Sequence, residues 1–280
     1  MDEIVKVNCL RHIYADRTEV KICGLDFYIN SGERTVILGP NGSGKTTLLA
    51  HIMGLLEPVD GEVLVFGLNP KKHFKEVRKR IGVVFQNVDE QILGPTVWDD
   101  IAFAPTNYGL PPDEVREMTD LIMGKVGITH LGHKVPHYLS GGEKKKVAIA
   151  GAMVMKPEML ILDEPFDGLD PRSKEEMAEL LVGFNEQFGT ALVITTHDIN
   201  IVPDIAQTIY ILNKGRLTYR GTPFEVFSNT QILTEANLTP PLLVQLFHSL
   251  AARGLDLGIP ADLEDAVEKI RECQRRQTIV

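Results

Sequence analysis

The sequence predicts an α/β fold: a parallel-sheet core, an antiparallel β-subdomain, a helical subdomain and a small helical C-terminal appendage. Three observations predict it. The apolar run Val36-Ile37-Leu38 leads into Gly39-Pro40-Asn41-Gly42-Ser43-Gly44-Lys45-Thr46-Thr47, and a helical pattern opens at Leu48 and runs to Met53. Two later runs, Met159-Leu160-Ile161-Leu162 and Ala191-Leu192-Val193-Ile194, are apolar throughout, as parallel strands buried on both faces are. Between them and the early strands, turn residues and helical patterns take over, which predicts a helical subdomain at about 87–157 inserted between two core strands.

In chain order, residues 4–34 read as β-structure. Leu25, Phe27 and Ile29 alternate with Asp26, Tyr28 and Asn30, the period of a half-buried strand, and Ser31-Gly32-Glu33 reads as a turn. The glycine-rich stretch matches G-x-x-x-x-G-K-[ST] between a strand and a helix, the context that makes it a phosphate loop rather than an ordinary turn. Gly39, Gly42 and Gly44 let the backbone aim its N–H groups at one point. The helix N-terminus adds unpaired donors and positive dipole. Lys45 supplies a mobile charge for the β- and γ-phosphates, and the Thr46 hydroxyl suits Mg²⁺.

Residues 62–66 and 81–85 read as further strands around a basic stretch, Lys71 to Arg80, whose simplest reading is a solvated helix face. Pro95, Pro105, Pro111, Pro112 and Pro136 punctuate the helical region. Asp163-Glu164 closes a core strand. The first acid can hold Mg²⁺ through water and the second can polarise an attacking water, which is the positioning that phosphoryl transfer needs.

Leu139-Ser140-Gly141-Gly142-Glu143 is a second glycine turn, placed before a helical pattern from Lys144 to Met155. One nucleotide does not need two phosphate-binding turns on one chain. Either the turn closes over a nucleotide held by another subunit, or it is a plain helix cap. The expected division is a phosphate-loop domain at 1–222 and an appendage at 223–280. The last helix runs from about Ala261 to Arg276, with Leu263, Val267 and Ile270 on one face.

The chain has 280 residues and a formal net charge of −9, which argues against a nucleic-acid partner and against charge-driven adhesion to anionic lipid. Cys9, Cys23 and Cys273 are odd in number and lack C-x-x-C spacing, so they read as reduced thiols of a cytosolic protein. Met1-Asp2-Glu3 opens no apolar h-region, and no signal peptide or membrane helix is expected.

The phosphate loop, Gln86, the turn at 139–143, Leu160-Ile161-Leu162-Asp163-Glu164-Pro165, Gly168-Leu169-Asp170-Pro171 and Thr196-His197-Asp198 stand in one order. That order resembles the ABC-transporter ATPase subunits over roughly residues 4–222. The resemblance implies a P-loop NTPase core that binds ATP and Mg²⁺. It implies that Tyr14 stacks on adenine, though plain packing is an alternative. It implies that Gln86 touches Mg²⁺ and the attacking water and senses a membrane partner. Ser140, Gly141, Gly142 and Glu143 form the signature that binds the γ-phosphate of the opposite subunit. Glu164 is the implied general base, Asp170 a residue of the dimer interface, and His197 the γ-phosphate switch. Thr46, Gln86 and Asp163 are the implied metal contacts.

Val84 to Ile92, Ile101 to Asn107 with Gly109-Leu110-Pro111, and Glu143 to Gly151 are similar to energy-coupling-factor ATPases, especially their cobalt and nickel branch. That narrower resemblance implies an ATP-dependent homodimer or a pair with a paralogous ATPase. It also implies a transmembrane coupling subunit, a substrate-binding membrane subunit, and a peripheral place on the cytoplasmic face of the cell membrane. Vitamin importers use similar ATPases, so the transported species stays open; a soluble ABC ATPase outside transport is a more distant alternative. Val88 replaces an expected proline, Lys146 an expected arginine, and Phe166-Asp167 the usual small or hydroxyl residue. His130, His133 and His137 form an H-x-x-H-x-x-x-H whose single helical face is broken by Pro136.

Overall fold

The structure is a computed structural model that describes residues 2–260 and 263–278. From the N-terminus the chain runs β1 (Glu3–Ile13), β2 (Glu19–Ile22), β3 (Phe27–Asn30), β4 (Arg34–Leu38), α1 (Lys45–Ile52), β5 (Asp60–Val65), α2 (Phe74–Arg78) and β6 (Ile81–Val84). Three helices follow: α3 (Val97–Asn107), α4 (Pro112–Val126) and α5 (Gly141–Met153). The core resumes with β7 (Met159–Asp163), α6 (Pro171–Phe188), β8 (Ala191–Thr196), α7 (Val202–Ile205), β9 (Thr208–Asn213) and β10 (Arg216–Gly221). The C-terminal part is helical: α8 (Pro223–Ser228), α9 (Thr230–Glu235), α10 (Leu242–Ala251) and α11 (Leu263–Thr278).

The core sheet has the order β10-β9-β4-β8-β7-β6, parallel from β9 to β6, with β10 antiparallel at one edge. Every residue of β7 and β8 is buried, which is why both runs are apolar without alternation. Side chains still alternate between the two faces. Leu38, Leu162 and Ile194 pack beneath α5 and α6, while Ile37, Ile161 and Val193 face α1 and the second sheet. In that second sheet β1 is the centre, pairing antiparallel with β2, β3 and β5.

Several boundaries depart from the sequence reading. Leu25 lies outside the strand and is exposed, whereas Phe27 and Ile29 are buried as expected. β5 stops at Val65 because Phe66 takes φ +52°, a left-handed conformation that no strand continues through. Pro105 does not break the chain; it sits buried inside α3, which forgoes one ladder hydrogen bond there. Only 74–78 of the basic stretch is helical, and Val77 is buried beneath it. The last helix begins at Leu263; the expected start at 261–262 lies outside the described residues.

The cysteine reading is corrected. Cys9 and Cys23 form a disulfide, because the antiparallel register that sets Leu10 against Ile22 continues to set Cys9 against Cys23. Count and spacing carried no information on which strands pair. Cys273 is free.

His51 on α1 is fully buried, with its ring 5.0 Å from that of His12. Burial, reinforced by His12, lowers its pKa from 6.5 to about 4. A depressed pKa means that the unfolded chain takes up the proton first. The folded state is therefore undiminished above pH 6.5 and loses stability as the pH falls toward 4. We expect urea unfolding to give about 2 kcal/mol more loss between pH 7.5 and pH 5 in the wild type than in His51→Leu. Parallel losses in the two proteins would show that His51 titrates normally.

Candidate functional site

The parallel register brings three strand ends together. Leu38 pairs with Thr196 across β4 and β8, and Asp163 pairs with Thr195 across β7 and β8. The glycine loop after β4, the acids ending β7 and the segment after β8 therefore share one edge, the C-terminal edge at which open α/β sheets bind ligands. Gly39 N–H donates to Thr196 O at 3.3 Å. A Cβ on Gly39 would lie 2.1 Å from Leu212 O, so only glycine fits. Gly44 takes φ +108° to start α1, and no side chain caps that helix. Its first N–H groups are thus left for an anionic ligand.

Lys45 is buried and donates to Gly39 O at 2.7 Å. Its Nζ also lies 3.0 Å from Glu164 Oε1, an ion-pair contact without hydrogen-bond alignment. Thr46 Oγ1 donates to Asp163 Oδ2 at 2.9 Å, and Thr195 Oγ1 donates to Asp163 Oδ1 at 2.5 Å. A hydroxyl and a carboxylate oxygen this close form a hard-oxygen donor set, and they fit Mg²⁺.

Glu164 adopts φ +48°, uncommon for a residue with a side chain. Its N–H is shared between Thr195 O and Thr195 Oγ1, each at 3.1 Å, which holds the backbone there. Its Oε2 lies 3.0 Å from His197 Nδ1 and accepts the His197 N–H at 3.2 Å.

Tyr14 reaches the loop from the second sheet, with its hydroxyl 2.8 Å from Thr47 Oγ1. A cleft of about 470 Å³ opens beside these residues, lined by Pro40, Asn41, Glu164, Thr196, His197 and Asn200 among others. Gln86 follows the edge strand β6 and is exposed; neither it nor the turn at 140–143 lines this cleft.

That turn caps α5. Ser140 Oγ accepts the Glu143 N–H, and Glu143 Oε2 accepts from the Ser140 N–H and hydroxyl. These bonds hold the Glu143 carboxyl below the usual range. A Cβ on Gly141 would meet nothing within 4 Å, and one on Gly142 only Leu169 Cδ2 at 3.6 Å. The chain's own packing does not require either glycine. Asp170 caps α6, and the Ser173 hydroxyl and N–H hold its carboxyl low.

Three participants escaped the sequence reading. Thr195 ties Asp163 and Glu164 to β8. Lys174 pairs with Asp198, where burial opposes ionisation but the lysine and Asn200 overcome it. Lys145 donates to the Asp167 carbonyl, and burial lowers its pKa. Thr195 stood next to a recognised motif, but its partners are 31 and 32 residues away.

A family model described as ABC transporter matches residues 22–167. The energy-coupling factor transporter ATP-binding protein EcfA of Methanocaldococcus jannaschii is 44% identical over 250 residues, 88% of this chain and 89% of that protein. Its counterpart in Methanothermobacter thermautotrophicus is 37% identical over 270 residues, 95% of this chain and 86% of that protein. Among solved structures, CbiO1 of Clostridium perfringens, described as part of the ABC transporter complex CbiONQ, aligns with a TM-score of 0.77 at 39% identity. That alignment covers 89% of this chain and all of CbiO1.

Proposed function

The chain belongs to the ABC transporter family as an ATPase of energy-coupling-factor type, and on that premise we propose how its residues act, with which partners and on what cargo. The observation that carries the reading is the separation of two anion-binding turns on one chain. Two copies sandwich two ATP molecules, each between one phosphate loop and the other copy's turn at 140–142. Glycines 141 and 142, free of any packing need in their own chain, leave room for the partner's γ-phosphate.

Lys45 Nζ lies 3.0 Å from Glu164 Oε1. Arrival of the β- and γ-phosphates draws Lys45 away and frees the carboxylate. Glu164 then takes the proton of a water attacking the γ-phosphorus, and ADP leaves. His197, already against Glu164, orients it and contacts the γ-phosphate; Tyr14 stacks on adenine. Thr46 and Asp163, with Gln86, would hold Mg²⁺, which neutralises charge on the phosphates.

The membrane partner docks in an apolar groove of about 620 Å³ between β6, α1 and the helical subdomain. Leu93 is 73% exposed and Phe103 53% exposed there, with Leu55, Phe85 and Tyr108 beside them. Exposed aromatic and aliphatic side chains in one concave patch suit an amphipathic helix of a transmembrane coupling subunit. No helix among the described residues is long and apolar enough to cross a membrane; the likeness to energy-coupling-factor ATPases supports a peripheral place for the chain on the cytoplasmic face. The cargo we propose is cobalt or nickel, on the likeness of residues 84–92 and 101–111 to that branch; the alternative is a vitamin.

The appendage supplies a second contact between copies. α11 turns Leu263, Val267 and Ile270 outward, at 70%, 41% and 37% exposure, while Ala266 is buried. Three aliphatic side chains on one helical face match the same face of a second copy.

Glu164→Gln keeps the side chain's shape but cannot accept a proton. ATP should still bind, turnover should fall by roughly two to four orders of magnitude, and cobalt or nickel uptake by the assembled transporter should stop. Turnover near the wild-type rate would refute the assignment; ATP-dependent uptake of a vitamin instead would refute the cargo.

Mixing Lys45→Ala chains with Ser140→Arg chains, each inactive alone, should restore partial ATPase activity, because one site of the mixed dimer receives both intact turns. Silence in mixed dimers that form would mean either that each chain is a self-contained site or that the two sites cannot fire independently, and single-site nucleotide binding measured in the mixture separates those outcomes. Truncation before Ile259 should weaken nucleotide-free self-association in the ultracentrifuge while nucleotide binding persists.

Phe103→Asp should leave the ATPase activity of the isolated chain unchanged and abolish copurification with the membrane subunits. Undiminished copurification would remove the groove as the docking surface.

A further inference from the structure

The disulfide lies at a place that the proposed cycle does not use. Cys9 on β1 is exposed and Cys23, just beyond β2, is half-buried, so a reagent from solvent can reach the bridge. β1 and β2 form a hairpin, and Tyr14 stands at its tip, where its N–H donates to Thr18 O at 2.9 Å. β2 has only four residues and is an edge strand, paired with β1 alone in its sheet. A ladder that short holds a strand weakly, and a covalent link at its end restricts how far it can open.

This hairpin touches the phosphate loop at two points and is linked to it at a third through Gly215. The Tyr14 hydroxyl meets Thr47 Oγ1 at 2.8 Å. Val20 and Ile22 cover Gly44, with Cγ1 and Cδ1 atoms 3.6 and 3.5 Å from where a Cβ would stand. Cys23 N–H donates to Gly215 O at 3.1 Å, and Gly215 N–H donates to Ser43 O at 2.9 Å. The bridge therefore fixes a strand that forms one wall of the loop and carries the ring at its mouth.

We infer that Cys9–Cys23 is a thiol–disulfide modification site, and that its reduction by a small dithiol frees this hairpin and weakens nucleotide binding. The inference rests on the reading of the glycine loop and Tyr14 as the nucleotide site. In the reduction, the dithiol's sulfur attacks the bridge, the S–S bond breaks, and two cysteine thiols form with two protons. The dithiol is oxidised to its cyclic disulfide; a disulfide reagent reverses the exchange.

The test uses the full chain carrying Cys273→Ser, which removes the remaining thiol. Binding of a fluorescent ATP analogue is measured after treatment with oxidised or reduced dithiothreitol, with thiols counted by a chromogenic reagent in each state. We expect no free thiols and tight binding in the oxidised protein. The reduced protein should have two free thiols and a Kd raised at least about fivefold, the lower end of ordinary coupling between sites. Cys9→Ser/Cys23→Ser should bind with the weaker Kd whatever the reagent. If that variant misfolds by circular dichroism, the reagent titration of the bridged protein stands by itself. Equal Kd values in the two states, or two free thiols after oxidation, would overturn the inference while leaving the nucleotide site in place. No binding in either state would overturn both.

Discussion

The parallel register of β4, β7 and β8 is the constraint on which the rest depends. It sets Leu38 beside Thr196 and Asp163 beside Thr195, so three segments far apart in the chain end on one line. The hydrogen bonds from Thr46 and Thr195 to the two oxygens of Asp163 follow from that alignment. A slip of one residue in either pairing would turn every side chain of that strand to the opposite face, since the period is two. The full burial of β7 and β8 makes such a slip costly, because Leu160 and Leu162 pack against one layer and Ile161 against the other. The hydrophobic core thereby sets the precision of a polar site.

Glu164 illustrates how local strain is stored where chemistry is concentrated. Its left-handed backbone costs on the order of 1 kcal/mol, and the double engagement of its N–H by Thr195 offsets that cost. The conformation lets its side chain reach Lys45 and His197 together. Lys45 is consequently a buried cation whose only carboxylate contact among the described residues is one that a polyphosphate would replace with stronger charge.

What the sequence made legible was local. A strand, a glycine turn and a helix within 18 residues of chain carry their own explanation, because the backbone conformations and donors are specified in place. The capping box at Ser140 and Glu143 is equally local, and so are the apolar runs that became β7 and β8. What remained hidden was pairing over distance. Thr195 and Asp163 are 32 residues apart, Tyr14 and Thr47 are 33 apart, and nothing in either neighbourhood names the other. The disulfide was missed for the same reason: the β1–β2 register decides it, and residue spacing does not reveal register. Pro105 is the converse case, in which tertiary burial overrode a local breaker near a helix end.

The segment from Phe85 to Gln91 links the apolar groove to the turn at Ser140. Gln91 closes it into a compact loop, donating from Nε2 to Val83 O at 2.8 Å and accepting the Phe85 N–H at 2.9 Å. Asp89 in that loop pairs with Lys144 of α5 at 2.6 Å, one helical turn from the Ser140 cap. Phe85 and Gln91 themselves line the groove. A helix seated there would press on a loop that cannot yield internally without giving up the Gln91 bonds. The contact that leads from this loop to the start of α5 is the Asp89–Lys144 pair. Packed elements move as units rather than deforming continuously. The groove and the turn at Ser140 are therefore joined by contiguous contacts, through the loop that Gln91 closes and the Asp89–Lys144 ion pair.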